Sequence, residues 1–184
     1  DISALCDKAA TIDQPVYKKD GTVRQVAWCD GIALIFAIHM GLRFSEQAAL
    51  KWKFVDFDDN VVHVRTAVRE GEGGIQEVGV TKTEQSRRSV PMTPTMRRLL
   101  AEWKMRSPWS GDDDIVFPTR EGNRQASSDN WRTRVLHPAC DSLSMSRFTW
   151  HQLRHLFASL AIAMKKPTSD QRDDVWAELA TKMG

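Results

Sequence analysis

The chain has 184 residues, of which 41% are hydrophobic and 27% are charged, as in an ordinary soluble globular domain. A domain of this length buries roughly two-thirds of its unfolded surface, so it needs neither disulfides nor a metal to fold. The longest apolar run, residues 32–38, is too short to cross a bilayer, and the three cysteines are far apart without zinc-site spacing. These features exclude membrane, fibrous and disulfide-rich secreted proteins, and they predict a cytoplasmic protein with reduced thiols.

The net charge is only +2, from 26 basic and 24 acidic residues, but the basic residues are clustered. Residues 81–106 hold seven basic and two acidic side chains. A weaker basic group consists of Arg120, Arg124, Arg132 and Arg134. Such groups are usually solvated faces, but they can also face the phosphates of a nucleic acid. Charge alone leaves both interpretations open.

Hydrophobic spacing and turn residues predict an α+β fold, mostly helical, with a small antiparallel sheet. Helices are predicted over residues 27–40, 45–51, 94–105, 128–143, 149–164 and 170–183. Strands are predicted at Val61–Val64, around Val78 and Val80, and on a return segment through Val90 after a polar turn. Gly41 ends the first of these helices, and Pro91 ends the return strand.

The segment from Thr149 carries the most chemical information. Thr149 and Gln152 are three residues apart, which predicts a capping box and the start of a helix. An apolar stripe on this helix consists of Leu153, Leu156, Phe157, Leu160, Ala161 and Met164. At about 100° per residue, His151, Arg154 and His155 fall on the opposite face. Two imidazoles and a guanidinium near the free N–H groups of the first turn suit an anion.

Two other interpretations of this segment stay open. In the first, His155 packs structurally and Arg154 makes a surface ion pair, which is common for short motifs. In the second, His151 and His155 ligate a metal, since they are four residues apart. The metalloprotease form of that spacing needs a glutamate after the first histidine, where this chain has Gln152. We therefore predict no metal site.

Two earlier segments are further candidates. Arg43 follows Gly41 in a turn from which a guanidinium can grip phosphate bidentately, or pair with Glu46 three residues later. Lys82 lies near the tip of the predicted hairpin, where a lysine is either solvated or a mobile proton donor.

In this order, the three segments resemble the catalytic domain of the tyrosine recombinases, the phage-integrase type of site-specific DNA recombinase. That family has an arginine in a G-x-R-x-x-E motif, a lysine in a β-hairpin, and H-x-L-R-H on a helix. The resemblance implies catalytic roles for Arg43, Lys82, His151 and Arg154, with His155 and Glu46 in support. It covers nearly the whole chain.

The resemblance also implies a fold, a reaction and partners. The fold is that of a DNA breaking–rejoining domain with a three-stranded antiparallel sheet. The reaction is site-specific recombination or integration through a 3′-phosphotyrosyl intermediate, without a cofactor. The partners are double-stranded DNA and three further copies in a tetramer. Candidate contacts to the DNA backbone, which could equally be solvated charges, are Arg87, Arg88, Arg132 and Arg134.

The chain departs from the family pattern at its end. The family continues with a Leu-Gly-His-like string and a nucleophilic tyrosine, whereas here the last residues are Lys182-Met183-Gly184. The one tyrosine, Tyr17, precedes every motif. We therefore expect residues 1–184 to be a C-terminally incomplete catalytic domain, without the family's N-terminal core-binding domain and inactive alone. The alternative is a non-catalytic DNA-binding module that uses the same basic cleft.

Overall fold

The computed structural model describes residues 2–13, 16–17, 23–25, 28–71, 74–79, 87–125 and 127–164. Its helices are α1 (Ile2–Ile12), α2 (Asp30–Met40), α3 (Phe44–Ala48), α4 (Pro94–Arg106), α5 (Ser128–Trp131), α6 (His137–Ser142) and α7 (Trp150–Met164). Its strands are β1 (Val16–Tyr17), β2 (Val23–Gln25), β3 (Val55–Asp56), β4 (Val61–Val64), β5 (Thr66–Gly71), β6 (Gly74–Gly79) and β7 (Arg88–Pro91). A 3₁₀ turn covers Trp52–Phe54 and a π-helical turn covers Arg132–Leu136. The predicted α+β class is confirmed.

The core is built around α2, in which every residue from Gly31 to Met40 is buried. A helix that is apolar on all sides needs neighbours on all sides, and α2 packs against α1, α4 and α7. It ends at Gly41, whose φ of +57° is the left-handed C-cap conformation that glycine adopts readily. The predicted helix stop is therefore confirmed.

The start of α2 is fixed by Asp13, which directly follows α1. Its carboxylate accepts hydrogen bonds from the backbone N–H groups of Gly31 and Ile32, both at 2.7 Å. Gly31 also allows α1 to approach closely, since a Cβ there would lie 2.1 Å from the carbonyl oxygen of Ala9. Burial raises the pKa of Asp13 to about 6, despite the two hydrogen bonds.

The three-stranded antiparallel sheet has the order β3-β4-β7. The predicted hairpin would pair the strand around Val78 with the return strand through Val90. In the described residues β6 instead pairs with β5 (Val78 opposite Ala67), and the return strand β7 pairs with β4. The turn of the predicted hairpin lies outside the described residues. Val62 and Val90 are opposite each other in the β4–β7 pair, and both are buried. This alignment puts the apolar residues of both strands on the core face. Turn residues in the sequence do not indicate which strands share that face.

The helices after the sheet match the prediction closely. The segment predicted as one helix over 128–143 is α5, the π-helical turn and α6 in succession. α7 packs on this segment through Trp150, whose indole stacks on Trp131 with ring centroids 5.0 Å apart. The helix predicted over 170–183 lies outside the described residues. Among the helices that are described, none is long and apolar enough to cross a bilayer.

Candidate active site

Arg43 lies between α2 and α3, at the N-cap of α3. A guanidinium has no acceptor for a helix N–H group, so the usual N-cap contact is replaced by contacts to Glu46. Glu46 accepts a hydrogen bond from the backbone nitrogen of Arg43 at 2.8 Å and one from its Nη1 at 3.1 Å. The Arg43 side chain is still 57% exposed, so its guanidinium borders solvent.

The Glu46 carboxylate is the buried centre of the site, with its side chain 2% exposed. Arg88, from β7, binds it bidentately, with Nη1 2.9 Å from Oε1 and Nη2 2.7 Å from Oε2. Burial disfavours the charged carboxylate, but the hydrogen bonds from Arg88 and Arg43 outweigh burial and hold the pKa of Glu46 below its ordinary value. Glu46 is therefore ionised at neutral pH.

Arg154 reaches this centre from α7. The predicted capping box is present, because the Thr149 nitrogen donates to Gln152 Oε1 at 2.6 Å and the Gln152 nitrogen donates to Thr149 Oγ1 at 3.2 Å. Arg154 itself is half-buried, and its Nη1 donates to the carbonyl oxygen of Gly41. The guanidinium thus turns from the exposed face of α7 towards the loop after α2.

Two guanidiniums, those of Arg43 and Arg88, bind the Glu46 carboxylate, and a third, that of Arg154, lies near them on the Gly41 carbonyl. Burial, followed by the positive charges of Arg43 and Arg88, lowers the pKa of Arg154. Glu46 supplies a single negative charge against these three positive ones. The surplus positive charge and the remaining N–H donors are chemically suited to an oxyanion.

A cavity of about 260 Å³ adjoins the cluster, between the end of α2, β7 and α7. Arg88 and Arg154 are among its polar lining residues, and Phe157 and Ala158 are among its apolar ones. The ring of Phe157 packs directly on Gly41, where a Cβ would lie 2.2 Å from Phe157 Cδ1. The glycine after α2 therefore satisfies both the left-handed backbone and this close approach.

His151 and His155 are exposed on α7, with ring centroids 4.5 Å apart and perpendicular planes. Both are on the helix that carries Arg154, as predicted. Within the part of the chain that the structure describes, His, Cys, Asp and Glu side chains form no group of three that could hold a metal. Lys82 lies outside the described residues, so its place in the site remains a prediction.

The candidate DNA contacts are dispersed. Arg87 is exposed just before β7. Arg132 pairs with Asp129 at 3.1 Å. Arg134 is exposed and lines a second cavity with Asp30, at the other end of α2 and about 15 Å along the helix from Gly41. Only Arg88, of the four candidates, lies in the site itself.

Sequence analysis named Arg88 without its contact to Glu46, and it missed Gln47 altogether. Alternation along β7 puts Arg88 on the same face as the buried Val90, and this signal could have indicated an inward-facing guanidinium. Gln47 is fully buried, and its amide donates to the carbonyl oxygen of Ala33 at 2.8 Å and accepts from Trp150 Nε1 at 3.4 Å. It links α2, α3 and α7, and no local pattern indicates this.

The sequence of residues 16–169 matches the profile of the Phage integrase family. The chain belongs to the phage integrase family. The resemblance to the tyrosine recombinases, first drawn from the order of the motifs, is thereby confirmed. No curated protein sequence matches the chain.

Solved structures agree with this integrase assignment at the level of the fold. The Tn1549 transposon integrase in complex with circular intermediate DNA has a TM-score of 0.64 at 17% identity, over 96% of this chain and 58% of that chain. XerA recombinase has a TM-score of 0.61 at 16% identity, over 99% and 61%. The integrase from mycobacterium phage Brujita has a TM-score of 0.51 at 14% identity, over 100% and 57%. This chain therefore spans less than two-thirds of each of these structures.

Proposed function

We propose that this chain forms the phosphodiester-binding part of a site-specific DNA recombinase, which cuts and rejoins strands through a 3′-phosphotyrosyl intermediate. The observation that carries the proposal is a cluster of three guanidiniums at the end of α2. Arg43 and Arg88 bind the buried Glu46, and Arg154 lies within range of their positive charges. Membership of the phage integrase family supports it. Its partner is double-stranded DNA, and we propose that the full-length protein acts as a tetramer on DNA in the cytoplasm.

In this reaction, Arg43 and Arg154 bind the non-bridging oxygens of the scissile phosphate. Negative charge grows on those oxygens in the pentavalent transition state, and two permanently charged guanidiniums stabilise it as metal ions do in many nucleases. Loss of either arginine removes about 3–4 kcal/mol of transition-state stabilisation, by analogy with single oxyanion-hole donors.

Proton transfers are assigned to the remaining residues. Lys82 protonates the leaving 5′-oxygen, and His151 binds the phosphate or accepts the proton of the attacking tyrosine. His155 supports His151, whose ring it contacts. Because the sole tyrosine of these 184 residues is Tyr17, ahead of every motif, we propose that these residues alone bind DNA but form no covalent link to it.

Binding to the DNA backbone extends beyond the scissile phosphate. We propose that Arg87, Arg132 and Arg134 contribute nonspecific phosphate contacts. Each contact adds about one unit to the slope of the logarithm of DNA affinity against the logarithm of salt concentration. The structures of the Tn1549 transposon integrase are complexes with DNA, in agreement with such a partner.

The test is to incubate the full-length protein with supercoiled plasmid in EDTA, and to separate the products after denaturation. We expect protein that stays linked to DNA, and loss of that link in Arg43→Ala and Arg154→Ala. Arg147→Ala is the control, since it also removes one guanidinium, but one that pairs with Asp141 at the exposed surface. Salt-sensitive DNA binding without any link, on a plasmid that carries the recombination site, would favour a non-catalytic DNA-binding module.

A further inference from the structure

The Arg88 guanidinium is committed to an interaction inside the protein. Both of its terminal nitrogens bind the Glu46 carboxylate, at 2.9 and 2.7 Å, and its side chain is only 27% exposed. A bidentate pair uses the same pair of N–H donors that would grip a phosphate. Arg88 is thus placed differently from the exposed Arg87 beside it.

The other contacts of the same carboxylate lead to Arg43. Glu46 Oε2 accepts from the Arg43 backbone and from Arg88 Nη2, while Oε1 accepts from Arg43 Nη1 and Arg88 Nη1. Arg88 therefore fixes the orientation of the carboxylate plane, and the carboxylate holds a side chain that is otherwise 57% exposed. A long exposed side chain without such an anchor samples many rotamers.

We propose that Arg88 is a positioning residue, which orients Arg43 for phosphate binding by holding the Glu46 carboxylate and does not itself contact DNA. This inference rests on the proposed function, because it assigns Arg43 to the scissile phosphate. It replaces the earlier expectation that Arg88 is a contact to the DNA backbone.

The charges around Glu46 give a pH signature. Arg43 faces it from the N-cap of α3, Arg88 from β7 and Arg154 from α7. Without Arg88, Glu46 loses a hydrogen-bonded cation that lowers its pKa, while burial, which raises the pKa, remains. As the pH falls through that raised pKa, Glu46 becomes protonated and Arg43 loses its charged anchor. Activity of an Arg88→Gln variant should therefore fall at a higher pH than that of the wild type.

The experiment compares strand cleavage by the full-length protein and its Arg88→Gln, Arg88→Lys and Arg147→Gln variants. We expect Arg88→Gln to slow cleavage at saturating DNA by roughly 10- to 100-fold, by analogy with groups that orient the ligands of a metal ion. Arg88→Lys should restore part of the rate, and Arg147→Gln should match the wild type. The dependence of the DNA dissociation constant on salt should be the same in all four proteins.

One result would identify a lost phosphate contact and overturn the proposal. In Arg88→Gln, the slope of the logarithm of DNA affinity against the logarithm of salt concentration would become shallower by about 0.9, while the cleavage rate at saturating DNA stayed unchanged. The proposal would also be overturned by losses that multiply in the double variant Glu46→Gln/Arg88→Gln, because residues that act through one another should lose little more together than Glu46→Gln does alone. The double variant also removes the unpaired buried carboxylate that could impair folding of Arg88→Gln.

A separate measurement distinguishes failure of this inference from failure of the proposed function. The titration of the Glu46 carboxyl carbon, followed by NMR, does not depend on cleavage. We expect its pKa to rise in Arg88→Gln and to stay unchanged in Arg147→Gln. If the wild-type protein forms no covalent link, the proposed function fails, and an unmoved Glu46 pKa would independently overturn the positioning role.

Discussion

The two ends of α2 have similar structural features but differ in the charges that surround them. Each end has a glycine at a close approach, Gly31 against α1 and Gly41 against the ring of Phe157. Each also has a buried carboxylate that accepts backbone N–H groups, Asp13 at the start and Glu46 just beyond the end. Backbone groups hold Asp13, whereas Glu46 also receives two guanidiniums.

This difference sets the two pKa values in opposite directions. Burial raises the pKa of Asp13 to about 6, while the arginines overcome burial at Glu46 and lower its pKa. Burial of a carboxylate is therefore not a sign of function by itself. A buried carboxylate that organises several guanidiniums at the surface is such a sign, because the cluster keeps a surplus of positive charge for an anion.

The largest expected effect comes from Gly41→Ala. The left-handed backbone costs a Cβ about 1–2 kcal/mol, and displacement of the Phe157 ring adds about 1–3 kcal/mol. Urea unfolding should therefore show a loss of about 3–4 kcal/mol. Gly31→Ala, which meets the Ala9 carbonyl, is the matched control at the other end of the helix. Only Gly41→Ala should weaken DNA binding in the folded protein, since Arg154 is anchored on the Gly41 carbonyl; equal weakening by both would contradict the comparison.

Glu46→Gln should have the next largest effect. It leaves three guanidiniums close together without the carboxylate that two of them bind, so we expect a loss of about 3 kcal/mol in unfolding free energy at pH 7. This is the lower end of the range for broken buried pairs, because Arg43 and Arg88 stay partly solvated. The loss should shrink in high salt, which screens the repulsion between the arginines. A loss that is independent of salt would show that packing, and not charge, holds this end of α2.

The smallest of the three effects concerns Asp13 and pH. Its pKa is about 6 in the folded protein and near 3.8 when unfolded, so the folded state binds more protons between these values. Stability should therefore decrease as the pH rises from about 4 to about 6, by about 2–3 kcal/mol in total. Asp13→Asn should flatten this decrease, with part of it remaining because the pKa of Asp30 is also raised by burial. Urea unfolding at several pH values measures the slope, and an unaltered slope in Asp13→Asn would remove Asp13 as its source.

The elements predicted correctly are those whose signals are local. Gly41 ends α2 and Thr149 with Gln152 begins α7, and both signals act within three or four residues. The pairing of β7 with β4 was missed because it depends on which valines share the buried face of the sheet, across a large sequence separation. Local periodicity carries no such information.

Sequence analysis predicted most of the residues of the candidate site but not the contacts between them. The motifs indicated Arg43, Glu46, His151 and Arg154, and the structure places Arg43, Glu46 and Arg154 in one cluster. The contact between Arg88 and Glu46 joins residues 42 positions apart, so no spacing within a helix or a turn could predict it. Arg88 carried the same sequence signal as Arg87 and was therefore given the same role.

The longest link in the site joins Arg154 to the carbonyl of Gly41, across 113 residues of chain. Closing a loop of that length loses chain entropy before the contact that closes it can stabilise the fold. Contacts between residues so far apart in sequence therefore form slowly. A partly folded chain therefore has the basic residues but not their arrangement. The cluster that we propose as the phosphate-binding site forms only when α7 has packed against the end of α2.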